Sequence, residues 1–130
     1  MPRKIIIDTN FLLLPFTSRL DIFSEFSRIC HFHFKLFIFE ATLSELSGIM
    51  KNASGKDKRA AKFALSLIKL KEIGIIKSEH KDVDSLILEY PDKDFIVATL
   101  DINLKKKLQK KHVPVVILRK RQHLQLTGHL

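Results

Sequence analysis

Cysteine is nearly missing from this 130-residue sequence: Cys30 stands alone, so no intramolecular disulfide can form and the fold must rest on its core. Long apolar runs are missing as well. The N-terminal stretches 5–7 and 11–16 are separated by Asp8, Thr9 and Asn10 and fall far short of a membrane span. The first residues do not follow the secretory-signal pattern, and with a single thiol a reducing cytoplasm is the expectation. Repeats, low-complexity segments and interdomain linkers are absent too. One domain over 1–130 is therefore expected, with the basic stretch 119–130 as a surface tail. The last scarcity is negative charge: 14 Asp and Glu stand against 23 Lys and Arg, a formal net charge of +9. A surface of that sign favours polyanions, but ordinary solubility charge can look the same.

Hydrophobic residues make up 45% of the chain and charged residues 28%, the composition of a soluble globule. Their pattern alternates between two periods. Residues 4–8 (KIIID) read as a short buried strand, because three β-branched residues stop at a polar Asp-Thr-Asn turn. A helical segment over 21–30 follows, with Asp21 placed to cap it. Residues 35–39 (KLFIF) suit an inner strand, and 40–50 a helix carrying Leu43, Leu46 and Met50 on one face. After a loop at 52–55 the longest helix runs over 56–72, with Ala60, Phe63, Ala64, Leu67 and Ile68 in one stripe and Gly74 as its C-cap. A minimal strand at 75–77, a short helix over 82–90 stopped by Pro91, and an interior strand at 95–100 (FIVATL) come next. A helix over 101–111 and a strand at 113–118 complete the series, with Pro114 suggesting that this last strand lies at an edge. Strands and helices in this order predict a mostly parallel α/β sheet of about five strands, with helices on both faces.

Ligands of open α/β sheets collect at the carboxyl ends of the strands, and two aspartates stand there. Asp8 directly follows the first strand and Asp101 the fourth. Each also precedes a helix, so an ordinary N-cap is the competing explanation for both. Two further carboxylates shift the balance. Asp84 shares the sheet-facing side of its helix with Ile87 and Leu88. Glu45 sits on the shoulder of the Leu43–Leu46 stripe, whereas Glu40 lies roughly 140° away around that helix and cannot serve the same centre equally. Carboxylates converging in a basic protein repel one another unless a cation or proton sits between them. Hard oxygen ligands suit Mg²⁺ or Mn²⁺, which lower the pKa of a bound water and stabilise charge at phosphorus. Phosphodiester hydrolysis is the chemistry expected of such a set.

Taken together, IIIDTNFLL at 5–13, SEL at 44–46, DSLIL at 84–88 and FIVATLD at 95–101 resemble the PIN domain in order, from about residue 4 to 118. The resemblance implies a three-layer α/β/α sandwich with strand order 3-2-1-4-5 and a divalent-metal-dependent endoribonuclease. Asp8, Glu45, Asp84 and Asp101 would be metal ligands, with Thr9, Asn10 and Thr99 orienting them or facing phosphate. Asp82 is the rival of Asp84, because many members carry paired aspartates where this chain has Val83 between two. Leu100 and Asn103 replace polar residues common in the family. The stretches GKDKRAAKFALSLI and VPVVILRKRQHLQLTG look most like archaeal PIN proteins related to the small-subunit rRNA-processing endonuclease, and toxin-type PIN ribonucleases are also similar. Implied partners are RNA, a second copy in a homodimer, and an antitoxin or ribosome-assembly protein. An inactive PIN-fold scaffold that binds RNA or such a partner is the alternative function. Lys105, Lys106, Lys107 and Lys110, with Arg119 and Arg121, are expected to guide an RNA backbone, against the plainer reading of a solvated basic face.

Overall fold

The computed structural model describes residues 2–79 and 81–128. In chain order its elements are β1 (Arg3–Ile7), α1 (Thr9–Leu12), α2 (Leu14–Thr17), α3 (Ile22–Ile29), β2 (Phe34–Phe39), α4 (Glu40–Asn52) and α5 (Gly55–Leu70). There follow β3 (Gly74–Ile76), α6 (Val83–Leu88), β4 (Phe95–Ala98), α7 (Ile102–Lys110), β5 (Val115–Arg119) and β6 (His123–Thr127). The strands form one sheet in the order β3-β2-β1-β4-β5-β6, parallel throughout except for β6. Its first five strands keep the expected 3-2-1-4-5 order. Among the described residues no helix is long and apolar enough to cross a membrane.

Alternation along β1 builds the three layers. Ile5 and Ile7 face a core shared with α1 to α5, through Phe11, Leu12, Ile22, Phe26, Leu46, Ala61 and Ala64. Ile6 faces the opposite core with Val83 and Ile87 of α6, and Leu104 and Leu108 of α7. All three isoleucines are fully buried, each contributing about 1.5–3 kcal/mol of apolar transfer. β1 can bury both faces because it is central, flanked in parallel by β2 and β4. The chain goes from β1 toward β2 on one side and reaches β4 on the other, so the gap between the ends of β1 and β4 is the topological switch point.

Local chemistry sets the element ends. Asp21 caps α3 by accepting from the backbone of Phe23 and Ser24, as its position predicts. Gly74 does not cap α5; it opens β3. Lys71 is the C-cap, and Glu72 beyond it takes the left-handed conformation (φ 52°). Glycine is needed at 74 for another reason: a Cβ there would lie 2.5 Å from Phe37 ring carbons. The loop expected at 52–55 shrinks to Ala53 and Ser54, because α4 continues through Asn52 and α5 starts at Gly55. In the α5 stripe, Ala60, Ala64, Leu67 and Ile68 are buried, but Phe63 remains 42% exposed.

The C-terminal stretch departs most from expectation. Residues 123–127 are not a surface tail: they form β6, antiparallel to β5, with Leu124 buried in the core. β5 is therefore interior. Pro114 lies just before the strand, so its missing N–H costs no ladder bond, while its carbonyl accepts from the Val97 amide. Glu25 and Arg28 of α3 fasten β6, one accepting from the Leu124 amide at 2.8 Å and the other donating to its carbonyl at 3.0 Å. The Arg28 guanidinium, aided by that amide, holds the Glu25 carboxyl down at about 2. Positions 129 and 130 of the expected tail lie outside the described residues.

The β5–β6 hairpin turns through Lys120 and Arg121, both at positive φ (52° and 58°), with the Gln122 amide donating to Arg119 O. This is the geometry of a type I′ turn, whose preferred pair is Asn-Gly, so two long cationic side chains hold a conformation that costs them steric strain. The double replacement Lys120→Asn/Arg121→Gly should raise unfolding stability by about 1–2 kcal/mol, read as a higher urea midpoint at unchanged slope. A lower midpoint would show that the turn is not strained.

Candidate active site

Asp8 leaves β1 in extended geometry (φ −68°, ψ 148°), so the strand's alternation continues one residue and directs its side chain to the Ile6 face, that of α6 and α7. The neighbouring strand behaves in the same way. Phe95 and Val97 lie on that face, which puts Thr99, two residues on, on the same side. Because Ile7 pairs with Ala98 and the Asp8 amide donates to Ala98 O, Asp8 and Thr99 come side by side at the switch point.

Their contact organises the site. The Thr99 hydroxyl donates to Asp8 Oδ2 at 2.8 Å and accepts from the Asp101 amide at 3.0 Å. The Thr9 amide donates to Asp8 Oδ1 at 2.9 Å. Asp8 is buried, only 5% exposed, and burial pushes its carboxyl above the usual range. The two hydrogen bonds pull it back, and the Glu45 and Asp101 carboxylates push it up further. Asp101 caps α7, its Oδ1 accepting from the amides of Asn103 and Leu104 at 2.8 and 3.1 Å. Capping and site geometry thus coexist: Oδ1 of Asp101 serves the helix, and the same carboxylate meets Asp84 on the side of the site.

Asp84, in the first turn of α6, is half-buried. Desolvation raises its carboxyl, and the charges of Asp8, Asp101 and Asp82, with direct side-chain contact to Asp101, raise it further. Asp82 is differently employed. Both its oxygens bind Ser85, Oδ2 the backbone amide at 3.1 Å and Oδ1 the hydroxyl at 2.8 Å, and these bonds hold its carboxyl below the usual range. Of the two rivals, Asp84 is the one in contact with Asp101. Asp82 is the N-cap.

Glu45 projects from α4 and is exposed, within electrostatic reach of Asp8. It lines a cleft of about 560 Å³ together with Glu40, Ser44, Glu79, Lys81 and Asp82. Sequence reasoning missed Thr42, which is fully buried three residues before Glu45. Its hydroxyl lies 3.0 Å from that of Thr9, tying α4 to the turn that follows Asp8. A polar residue one helical turn before a candidate glutamate was the available signal. Thr9 is thus buried and bonded, whereas Asn10 is exposed.

The four carboxylates present hard oxygen donors at one end of the sheet, and among the described residues no Lys or Arg pairs with any of them. That unbalanced charge suits a divalent cation. Still, no group of three or more His, Cys, Asp or Glu among the described residues is already gathered to hold a metal ion; the carboxylates are neighbours without being a ready cage. The basic residues divide by position. Lys105 and Lys106 lie within the first turns of α7 after Asp101, and Arg119 and Arg121 at the carboxyl end of β5, all on the acidic side of the sheet. Lys107 and Lys110 fall in the last turn of α7, a helix about 13 Å long that runs away from the strand ends.

Comparison with known proteins places these features in a family. The family model for a PIN like domain matches residues 5–121. The chain is 30% identical over 127 residues to Ribonuclease VapC4 of Methanocaldococcus jannaschii, covering 96% of this chain and 97% of that protein. It is 30% identical over 118 residues to Ribonuclease VapC9 of Archaeoglobus fulgidus, covering 90% and 84%. Among solved structures, the PIN domain endonuclease Utp24 superposes with a TM-score of 0.80 at 21% identity, over 99% of this chain and 94% of that one, a likeness of fold. A doubly wound sheet with aspartates at its switch point, matched along nearly its whole length, makes this chain a member of the PIN-like domain family.

Proposed function

We propose that this protein is a divalent-metal-dependent endoribonuclease that hydrolyses RNA phosphodiester bonds at Asp8, Asp84, Asp101 and Glu45. The observation that carries the reading is the buried Asp8 carboxylate, hydrogen-bonded to Thr99 between the ends of β1 and β4 and crowded by other carboxylates. Two relatives that share about the full length of the chain are named ribonucleases, and the surface charge of +9 suits a polyanionic substrate.

Asp8, Asp84, Asp101 and Glu45 would hold Mg²⁺ or Mn²⁺, which when bound lowers the pKa of a water and offsets charge on the phosphate oxygens. The chain's own residues do the positioning. Thr99 keeps the Asp8 carboxylate fixed while its oxygen receives the Asp101 amide, so the two aspartates cannot shift independently. Thr9 and Thr42 fix α4 and with it Glu45. Lys105, Lys106, Arg119 and Arg121 would draw the RNA backbone toward the acidic end, with Lys107 and Lys110 extending that path; Asn10 would face phosphate. The products would carry a 5′-phosphate and a 3′-hydroxyl. A role in rRNA processing or as a toxin in the cytoplasm, with an antitoxin, ribosome-assembly or homodimer partner, remains within this reading.

Purified protein with Mn²⁺ should cleave single-stranded or structured RNA. Asp8→Asn should lower the rate by more than about a hundredfold and Thr99→Val by roughly 10–100-fold, with RNA binding kept in both. Equal inertness of wild type and Asp8→Asn across divalent ions and substrates would instead support an inactive RNA-binding scaffold.

The crowded charges also predict a pH effect. A carboxyl whose folded-state pKa lies above its ordinary value of 3.8, as for Asp84, costs no stability while protonated in both states. The cost appears as pH rises through that ordinary value and is complete above the raised one. Asp84→Asn should therefore melt a few degrees higher than wild type at pH 7 without divalent ions, and the gap should narrow toward pH 4. Millimolar Mn²⁺ should raise the wild-type melting temperature more than that of the variant. A variant less stable than wild type at pH 7 would contradict the repulsion.

A further inference from the structure

A second pocket, sharing no lining residue with the cleft beside Glu45, lies between α2 and α5. Phe16 of α2 and Phe63 of α5 approach at 6.0 Å between ring centroids, tilted by 50°. They line a pocket of about 350 Å³ with Pro15, Arg19, Lys56 and Asp57, within the range of small-ligand sites. Phe63 is 42% exposed although it belongs to an otherwise buried helical stripe, so its ring is not used to complete the core. Arg19 and Lys56 are exposed, and neither has an ion-pair partner among the described residues. Arg19 is also held at positive φ (51°), a conformation costly for a long side chain.

The pocket stands close to the proposed catalytic end in the chain. Phe16 is on the second short helix after Asp8, and Asp8 itself caps the first. Resting on the nuclease reading above, we infer that this pocket binds a base of the RNA strand flanking the scissile bond, with the base against Phe63 and Phe16 and its phosphates at Arg19 and Lys56. Aromatic faces serve any base, and cations beside them serve the backbone; the two together are the chemistry of single-strand recognition. Asp57 sharpens the orientation. Its carboxylate repels phosphate and can accept from the amino or ring N–H groups of a base, so the strand enters base first with its backbone turned to Arg19 and Lys56. An apolar peptide would leave these two cations without a partner, which is why RNA is the occupant the pocket favours.

The test uses the full chain carrying Asp8→Asn, so that binding is measured without cleavage, and single-stranded RNA oligonucleotides read by fluorescence anisotropy at low salt. Phe63→Ala should weaken binding about tenfold, the size expected of one lost base–aromatic stack, and Phe63→Tyr should restore it. On an oligonucleotide of the same length lacking bases, Phe63→Ala should have no effect, whereas Arg19→Ala/Lys56→Ala should weaken both strands and flatten the salt dependence. In the otherwise wild-type protein, Phe63→Ala should raise KM for RNA with kcat little changed. If Phe63→Ala leaves binding and KM untouched while the wild type cleaves, the pocket is not a nucleotide subsite, and a protein partner becomes its occupant; the nuclease reading survives. Equal losses on strands with and without bases would overturn the stacking. A protein that neither binds nor cleaves any RNA would overturn both readings together.

Discussion

The hydrogen bond from the Thr99 hydroxyl to Asp8 Oδ2 is the contact on which the rest of the structure depends. A carboxylate is costly to bury unless its oxygens are satisfied, and Asp8, at 5% exposure, is satisfied by this bond and the Thr9 amide. Both partners are supplied by strand geometry: β1 and β4 are in register, and the Asp8 and Thr99 amides carry the bonding one residue past each strand, donating to Ala98 O and Val116 O. The three buried isoleucines before Asp8 make that register rigid, because a slip of one residue would turn Ile6 into the core of Ile5 and Ile7 and reverse every side chain. Core packing therefore fixes where the charge sits. What remains uncompensated is repulsion from Glu45, Asp84 and Asp101, stability given up at neutral pH for a charge density that a cation would relieve.

The two sides of the acidic end are built by different means. Toward α6 and α7 the positions are set by helix caps: Asp101 holds the start of α7 and Asp82 that of α6, which leaves Asp84 two residues beyond its cap, in the first turn and against Asp101. Toward α4 the positions depend on the Thr9–Thr42 pair, so Glu45 is located by a helix rather than by a strand end. It is correspondingly more exposed than Asp8. Among the described residues the four carboxylates thus differ in burial, Asp8 enclosed and Glu45 open to solvent, and they are not gathered into a ready cage.

Much of this was legible in the sequence. An apolar β-branched run that stops at Asp marks a strand end, as it does for β1 at Asp8; β4 instead ends at Ala98, so Asp101 stands three residues past the strand and not directly after it. The helices were readable from their period and from Asp21. Asp84 was named as the ligand with Asp82 as its rival; an Asp just before an apolar helical run is a favoured N-cap, and that is the place Asp82 takes, bonded to Ser85. β6 was unreadable for a different reason: its turn holds Lys120 and Arg121 at positive φ, where Asn or Gly would have announced a hairpin. Pro114 misled for the same cause, since a strand with no visible partner beyond it looks like an edge. Helical periodicity placed Phe63 on a face but could not say that nothing covers it. Family membership then came from the order of the motifs along the chain, which no single position could supply.

The proposed chemistry stands or falls on where a divalent ion sits. Crystals soaked in Mn²⁺ and measured at the manganese absorption edge should give an anomalous peak bounded by Asp8, Asp84 and Asp101, with Glu45 on its open side. A peak elsewhere on the molecule, or none in fully soaked crystals, would contradict the account.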